Sequence, residues 1–241
     1  MSSDPKDIIA RLQQWGACDF AASDQTNIAN KVYQVADGLS KLKYPNGGFL
    51  EGLTMYSPQF QAGETKIVGQ AMTVKFVPKS DVSSPKVQGN YIDKIPEGAV
   101  VFISQPLPHV NAVYGGLMTL RAQALNATGV VIDGRVRDLN EHRALNFPLF
   151  AKSVGTTAGG EVCRPSEVNV PVRLNSENQD AWINPGDYII ADLNGVVRLP
   201  QELAEQVLDA IPAIADADAK CAEAIKAGRS VEDAFREFRG R

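Results

Sequence analysis

Apolar residues recur at helical spacing near both ends of this chain, and in short alternating or continuous runs between them. Asp4-Pro5 pairs an N-cap with proline at the first helical position. Ile8, Ile9, Leu12 and Trp15 then share one helical face, which Gly16 ends. A second helix is predicted over 26–42, with Ile28, Val32, Val35 and Leu39 on its apolar stripe. The turn cluster Tyr44-Pro45-Asn46-Gly47-Gly48 hands the chain over to β structure. Strands are predicted over 52–56, 67–77, 99–103, 130–132, 147–154, 168–174, 180–184, 188–191 and 196–199. The run over 99–103 is continuously apolar, the pattern of a strand covered on both faces. Asn194-Gly195 between the last two strands is a hairpin signal. The polar stretch over 79–88 reads as a surface loop. From Pro200 the pattern is helical again, over 202–214 and 217–227, with a last short helix opening at Ser230. Strands in the middle with helices at both ends predict one α+β or layered α/β domain.

The stretch from Gly115 to Asp138, GGLMTLRAQALNATGVVIDGRVRD, organises the rest. Two glycines open a helix predicted over 117–126, and unshielded N–H groups at a helix start make an anion site. The strand over 130–132 carries the chain back past that site. Asp133-Gly134 is expected to turn it, and Arg137 and Asp138 follow. Two readings of Asp138 stand side by side. Asp138-Leu139-Asn140-Glu141 has the form of a capping box. The same carboxylate is also suited to a hard divalent cation. The two roles are compatible, because a capping carboxylate keeps one oxygen free. Arg137 is either an ordinary surface arginine or a bidentate clamp on a carboxylate or oxo group. Together, an anion cradle, a guanidinium and a carboxylate suit a small oxo-acid with a metal ion.

Composition narrows the classes. The charged fraction is 22% and the formal net charge −4, with no basic face, so nucleic acid is not an expected partner. No segment reaches the ~20 apolar residues of a membrane span. The polar start of the chain has no signal-peptide run, so a cytoplasmic protein is expected. Cys18, Cys163 and Cys221 are far apart and read as free thiols. His109 and His142 have no second His or Cys at ligand spacing, which argues against zinc. Nucleophile elbows, phosphate loops and dinucleotide fingerprints are absent.

Gly115-Gly116-Leu117, Ala124, Gly129, Val131, Asp133-Gly134 and Arg137-Asp138 resemble the signature of the RraA-like family, which includes the 4-hydroxy-4-methyl-2-oxoglutarate aldolases. Ala36-Asp37-Gly38-Leu39, Gly69-Gln70-Ala71-Met72-Thr73 and Pro185-Gly186-Asp187 through Gly195-Val196-Val197 extend the likeness over about 35–200 of a single domain spanning 1–241. The resemblance implies an α/β, layered β/β/α swivelling fold around a central sheet sandwich, with extra helices at both termini. It implies homotrimers or hexamers with sites between subunits. It also implies a class II lyase using Mg²⁺ or Mn²⁺ that releases pyruvate from a 4-hydroxy-2-oxo acid or decarboxylates oxaloacetate. By this likeness Asp138 holds the metal and Arg137 contacts the substrate's oxo group. The amides around Gly115, Gly116, Leu117 and Met118 receive its carboxylate. Some bacterial aldolases of the family carry an acid at the position of Gly116, and glycine departs from that pattern. The family also contains non-catalytic regulators of a ribonuclease, the alternative reading. Asp138 favours the enzyme, because the equivalent residue in such an inhibitor is not acidic.

Overall fold

The computed structural model describes residues 4–14 and 35–240. Trp15, Gly16, Cys18 and the predicted helical positions over 26–34 lie outside the described residues. The first helix, α1 (Pro5–Leu12), starts as its sequence requires, with the Asp4 carboxylate accepting from the Lys6 N–H. Helix α2 is Val35–Lys41.

The strands are β1 (Phe49–Leu50), β2 (Thr54–Ser57), β3 (Ile67–Pro78), β4 (Val100–Ser104), β5 (Gly129–Val136), β6 (Leu149–Val154), β7 (Cys163–Val168), β8 (Val172–Arg173), β9 (Trp182–Ile183), β10 (Tyr188–Asp192) and β11 (Gly195–Leu199). Helices α3 (Gly116–Ala124), α4 (Leu139–Ala144), α5 (Ala204–Lys226) and α6 (Val231–Phe238) complete the set. Among the described residues the main sheet runs β1-β11-β10-β3-β4-β5-β6-β2. Strand β3 joins its two halves. Its first residues pair antiparallel with β10, the next with β4 in parallel, and the last with β7. Strands β3, β4, β5 and β6 are mutually parallel neighbours.

Alternation along these strands builds the layers. Val100 and Phe102 of β4, Val131 of β5 and Phe150 of β6 point into a core shared with Ile189 and Ala191 of β10 and Val196 of β11. Val101 and Ile103, Val130 and Ile132, and Leu149 and Ala151 point the other way, into a core that includes Ala122 of α3. The outer face of β10 and β11 packs Tyr188, Ile190, Val197 and Leu199 against α1, α2 and α5. Two β layers with helices packed outside them are thus held by the apolar alternation, with β4 to β6 buried on both faces as their sequence pattern predicts.

Four expectations need correction. Asp133-Gly134 is not a turn; β5 runs through both to Val136. Gly134 serves a close approach instead, since a Cβ there would lie 2.3 Å from Gln105 Oε1. That oxygen accepts from the Arg135 N–H at 2.9 Å. The strand predicted over 168–174 is two elements, β7 and β8. Strand β7 went unread because Pro165 interrupts its pattern, which is tolerated where the register against β3 shifts. Residues 204–226 form one helix rather than two, with Pro212 inside it. Its buried stripe of Val207, Leu208, Ile211 and Ile214 continues past the proline and holds it together. Finally, no capping box forms at Asp138, as described below.

Asp133 is fully buried in β5 and is held by Lys152 of β6, with Nζ 2.9 Å from Oδ1. Its other oxygen accepts from the Asn175 backbone and side-chain N–H groups at 2.7 and 2.8 Å. Removing one partner of a buried ion pair typically costs about 3–5 kcal/mol. Lys152→Met is therefore expected to lower the melting temperature by about 6–20 °C. Adding Asp133→Asn should recover part of that loss in the same calorimetric scan.

Candidate active site

The parallel strand β5 ends beside the start of α3, because the chain before α3 bridges back to it at Tyr114 and Val136. The Arg137 N–H donates to the Tyr114 carbonyl at 3.0 Å. This seats Arg137 and Asp138 directly over Gly115, the residue that caps α3. A Cβ on Gly115 would lie 2.5 Å from Asp138 Oδ2 and 3.2 Å from Arg137 Nε. The glycine therefore makes room for both groups, and its extended backbone needs no unusual conformation.

Asp138 takes the left-handed conformation (φ 65°, ψ 41°), which Asp and Asn tolerate better than most residues. It stands at the N-cap position of α4, but its side chain makes no bond to that helix. The carboxylate is turned across to α3, where Oδ2 accepts from the Gly116 N–H at 3.1 Å. Arg137 Nε lies 3.4 Å from the same oxygen. The two side chains are 40% and 33% exposed, so solvent and ligand both reach them. The expected capping role is thus replaced by a bridge between helices. The Gly116 amide, expected to receive substrate, is taken up by Asp138. The Met118 amide is also committed, donating to the Gly115 carbonyl at 3.0 Å. Within that first turn Leu117 keeps an amide with no backbone partner.

Behind this turn lies a buried polar chain that the sequence did not disclose. His142 Nε2 lies 2.6 Å from the Arg137 carbonyl, which can only accept, so Nε2 carries the proton. Burial holds the ring's pKa below its ordinary value, keeping it neutral. Nδ1 then accepts from the Thr119 hydroxyl at 2.8 Å, and Thr119 Oγ1 lies 3.2 Å from Tyr114 Oη. His142, Thr119 and Tyr114 are all buried, and the imidazole stacks on the Tyr114 ring. The effect is to clamp the 137–138 peptide that aims the guanidinium and the carboxylate. The one available signal was the spacing of His142, four residues after Asp138.

Glu141 completes the surroundings. A Cβ on Gly116 would fall 1.6 Å from Glu141 Oε2, so this carboxylate occupies the space that a side chain at position 116 would fill. Its side chain has no hydrogen-bond or ion-pair partner among the described residues. His109, the other histidine, lies apart, with Nε2 3.0 Å from the Gln105 carbonyl.

Arg137, Asp138, Gly115, Leu117 and Met118 line one cavity of about 440 Å³, in the size range of small-molecule sites. No group of three or more His, Cys, Asp or Glu able to enclose a metal occurs among the described residues. A Mg²⁺-type site does not need such a group. Mg²⁺ commonly takes one or two carboxylates and fills its remaining positions with water and substrate oxygens. Asp138 fits that role, since Oδ2 is engaged by Gly116 and Arg137 while Oδ1 is left for a cation. No described helix is long and apolar enough to cross a membrane. Cys163 and Cys221 are buried free thiols.

The chain is similar to several known proteins. Protein DlpA of Legionella pneumophila is 30% identical over 192 residues, covering 79% of this chain but only 30% of its own length. The uncharacterized protein MJ0644 of Methanocaldococcus jannaschii is 37% identical over 122 residues, 51% of this chain and 56% of its own. The 4-hydroxy-4-methyl-2-oxoglutarate aldolase of Thermus thermophilus is 27% identical over 158 residues, 66% of this chain and 88% of its own. In three dimensions, the crystal structure of an uncharacterized protein from Pseudomonas syringae pv. tomato superposes with a TM-score of 0.73 at 28% identity. That superposition covers 95% of this chain and 96% of the other. Residues 33–198 match the RraA-like family, described as Aldolase/RraA, and with more than half of its length inside that match the chain belongs to this family.

Proposed function

We propose that this protein is a divalent-metal-dependent lyase that releases pyruvate from a 4-hydroxy-2-oxo acid and also decarboxylates oxaloacetate. The carrying observation is the convergence of Asp138 and Arg137 on one glycine at the mouth of α3, lining one cavity. Family membership and the aldolase named among its relatives support the same reading.

Both reactions pass through the enolate of pyruvate, whose developing negative charge must be stabilised. A Mg²⁺ or Mn²⁺ ion held by Asp138 would supply Lewis-acid polarisation of the 2-oxo group, an effect of several kcal/mol. Arg137 supplies a fixed positive charge at the same oxygen, already aimed before substrate arrives. The Leu117 N–H at the start of α3 orients the substrate carboxylate. His142, through the Arg137 carbonyl, keeps these groups from drifting when the ligand binds. Leu117 and Leu120, 75% and 53% exposed on α3, support the subunit contact of a trimer or hexamer.

The direct test is pyruvate release from 4-hydroxy-4-methyl-2-oxoglutarate and from oxaloacetate, with Mg²⁺ and then with EDTA. Turnover well above a metal-only control, lost on chelation, is the expected result. Turnover that survives chelation would overturn the metal-dependent mechanism. No turnover above the control would leave the binding-protein alternative.

A further inference from the structure

The cavity is lined by groups of opposite character. Arg137 and Asp138 meet at Gly115, while Phe76, Tyr91 and Pro165 add apolar lining and Val113 and Met118 pack against the same core cluster as Phe76 and Tyr91. Phe76 and Tyr91 pack edge to face there, 5.7 Å between centroids. The Tyr91 hydroxyl is buried without a hydrogen-bond partner among the described residues. Among the described lining residues Arg137 and Asp138 are the charged ones.

Several cations on neighbouring elements are committed elsewhere. Arg121 pairs with Asp93 at 2.7 Å and Lys75 with Glu167 at 2.9 Å. Arg164 donates to the carbonyls of Asp81, Ser84 and Pro85. Arg135 donates to those of His109 and Val154. A pyruvyl head bound by Arg137 and Asp138 leaves the rest of the cavity to the substituent on C4. A carboxylate placed there would lose water against aromatic and aliphatic carbon with no further counter-charge among the described lining residues, whereas an alkyl or aryl group would be buried favourably.

Resting on the lyase reading above, we infer that the site selects 4-hydroxy-2-oxo acids with an apolar C4 substituent over those with a second carboxylate there. The cleavage is redox-neutral. The C3–C4 bond breaks with its electron pair passing to C3, and the C4 hydroxyl loses its proton to become the carbonyl of the released aldehyde. C3 takes up a proton to give pyruvate.

The experiment compares kcat/KM of the full-length protein with Mg²⁺ across two substrate pairs. The apolar pair is 4-hydroxy-2-oxo-4-phenylbutanoate and 4-hydroxy-2-oxooctanoate; the dicarboxylates are 4-hydroxy-2-oxoglutarate and its 4-methyl analogue. The apolar pair should lead by about tenfold or more, expressed mainly in KM, since pocket contacts of this kind are worth about 10–200-fold. Equal or better turnover of the dicarboxylates overturns the inference while leaving the lyase reading intact. Absence of turnover with all four removes both. In Met118→Lys, checked for folding by its melting curve, the preference should shift about tenfold towards the dicarboxylates. An unchanged preference in that folded variant would place the C4 substituent elsewhere and overturn the inference.

Discussion

Asp138→Asn is expected to abolish metal-dependent pyruvate release while leaving the fold nearly untouched. The carboxylate makes no bond to its own helix, so no cap is lost. Asparagine is at home in the left-handed conformation that position 138 adopts, and its side-chain oxygen can still accept from the Gly116 N–H. The stability change should stay below about 1 kcal/mol, or within ~3 °C of melting temperature. What disappears is the negative charge that binds a cation. On the order of a thousandfold loss in kcat/KM is expected, corresponding to ~4 kcal/mol of lost transition-state stabilisation. Parallel melting curves and pyruvate assays read both quantities. A large drop in melting temperature would mean that Asp138 holds the fold together and would count against the site.

Gly115→Ala is the complementary test, because it leaves every charged group in place. At φ −150° and ψ −178° an alanine adopts the native backbone without strain. Its methyl group would nevertheless stand 2.5 Å from Asp138 Oδ2, too close to remain, and 3.2 Å from Arg137 Nε. Either the carboxylate or the turn must move. A displacement of about 1 Å in a positioning group can cost on the order of 10²-fold in rate. The expected outcome is a loss of that size in kcat/KM with weakened Mg²⁺ affinity by titration calorimetry. Wild-type activity in this variant would show that the Asp138 carboxylate does not act from the position seen here.

Some of this was legible along the chain and some was not. The glycine pair, Arg137 and Asp138 stood out as a cluster because their spacing is local, and local spacing is what a sequence displays directly. Helix α1 and its Asp4 cap, the β10–β11 hairpin at Asn194-Gly195, and the doubly buried β4 were likewise readable. The failures share one cause. Asp133-Gly134 has the composition of a turn, and Asp138 to Glu141 that of a capping box, yet each was redirected by a partner distant in sequence. Gln105 approaches over Gly134, Lys152 and Asn175 fix Asp133, and Gly116 draws the Asp138 carboxylate away from its own helix. Pro165 in β7 and Pro212 in α5 disfavour the elements that hold them, and packing outweighed the propensity of each.

The sequence by itself determined the layers, through which faces of the strands are apolar, and it singled out the residues proposed to carry chemistry. Only the tertiary structure decided how those residues act. It turned a candidate cap into a carboxylate bridging to α3 and filled the place above Gly116 with Glu141. It buried His142 against the Arg137 carbonyl and gave the cavity a mainly apolar lining with Arg137 and Asp138 as its charged residues. The physical reason is range. Hydrophobic periodicity is set by neighbours a few residues apart, whereas a hydrogen bond or a desolvated pocket wall is set by whichever groups the packed layers bring within about 3–4 Å, wherever they lie in the chain.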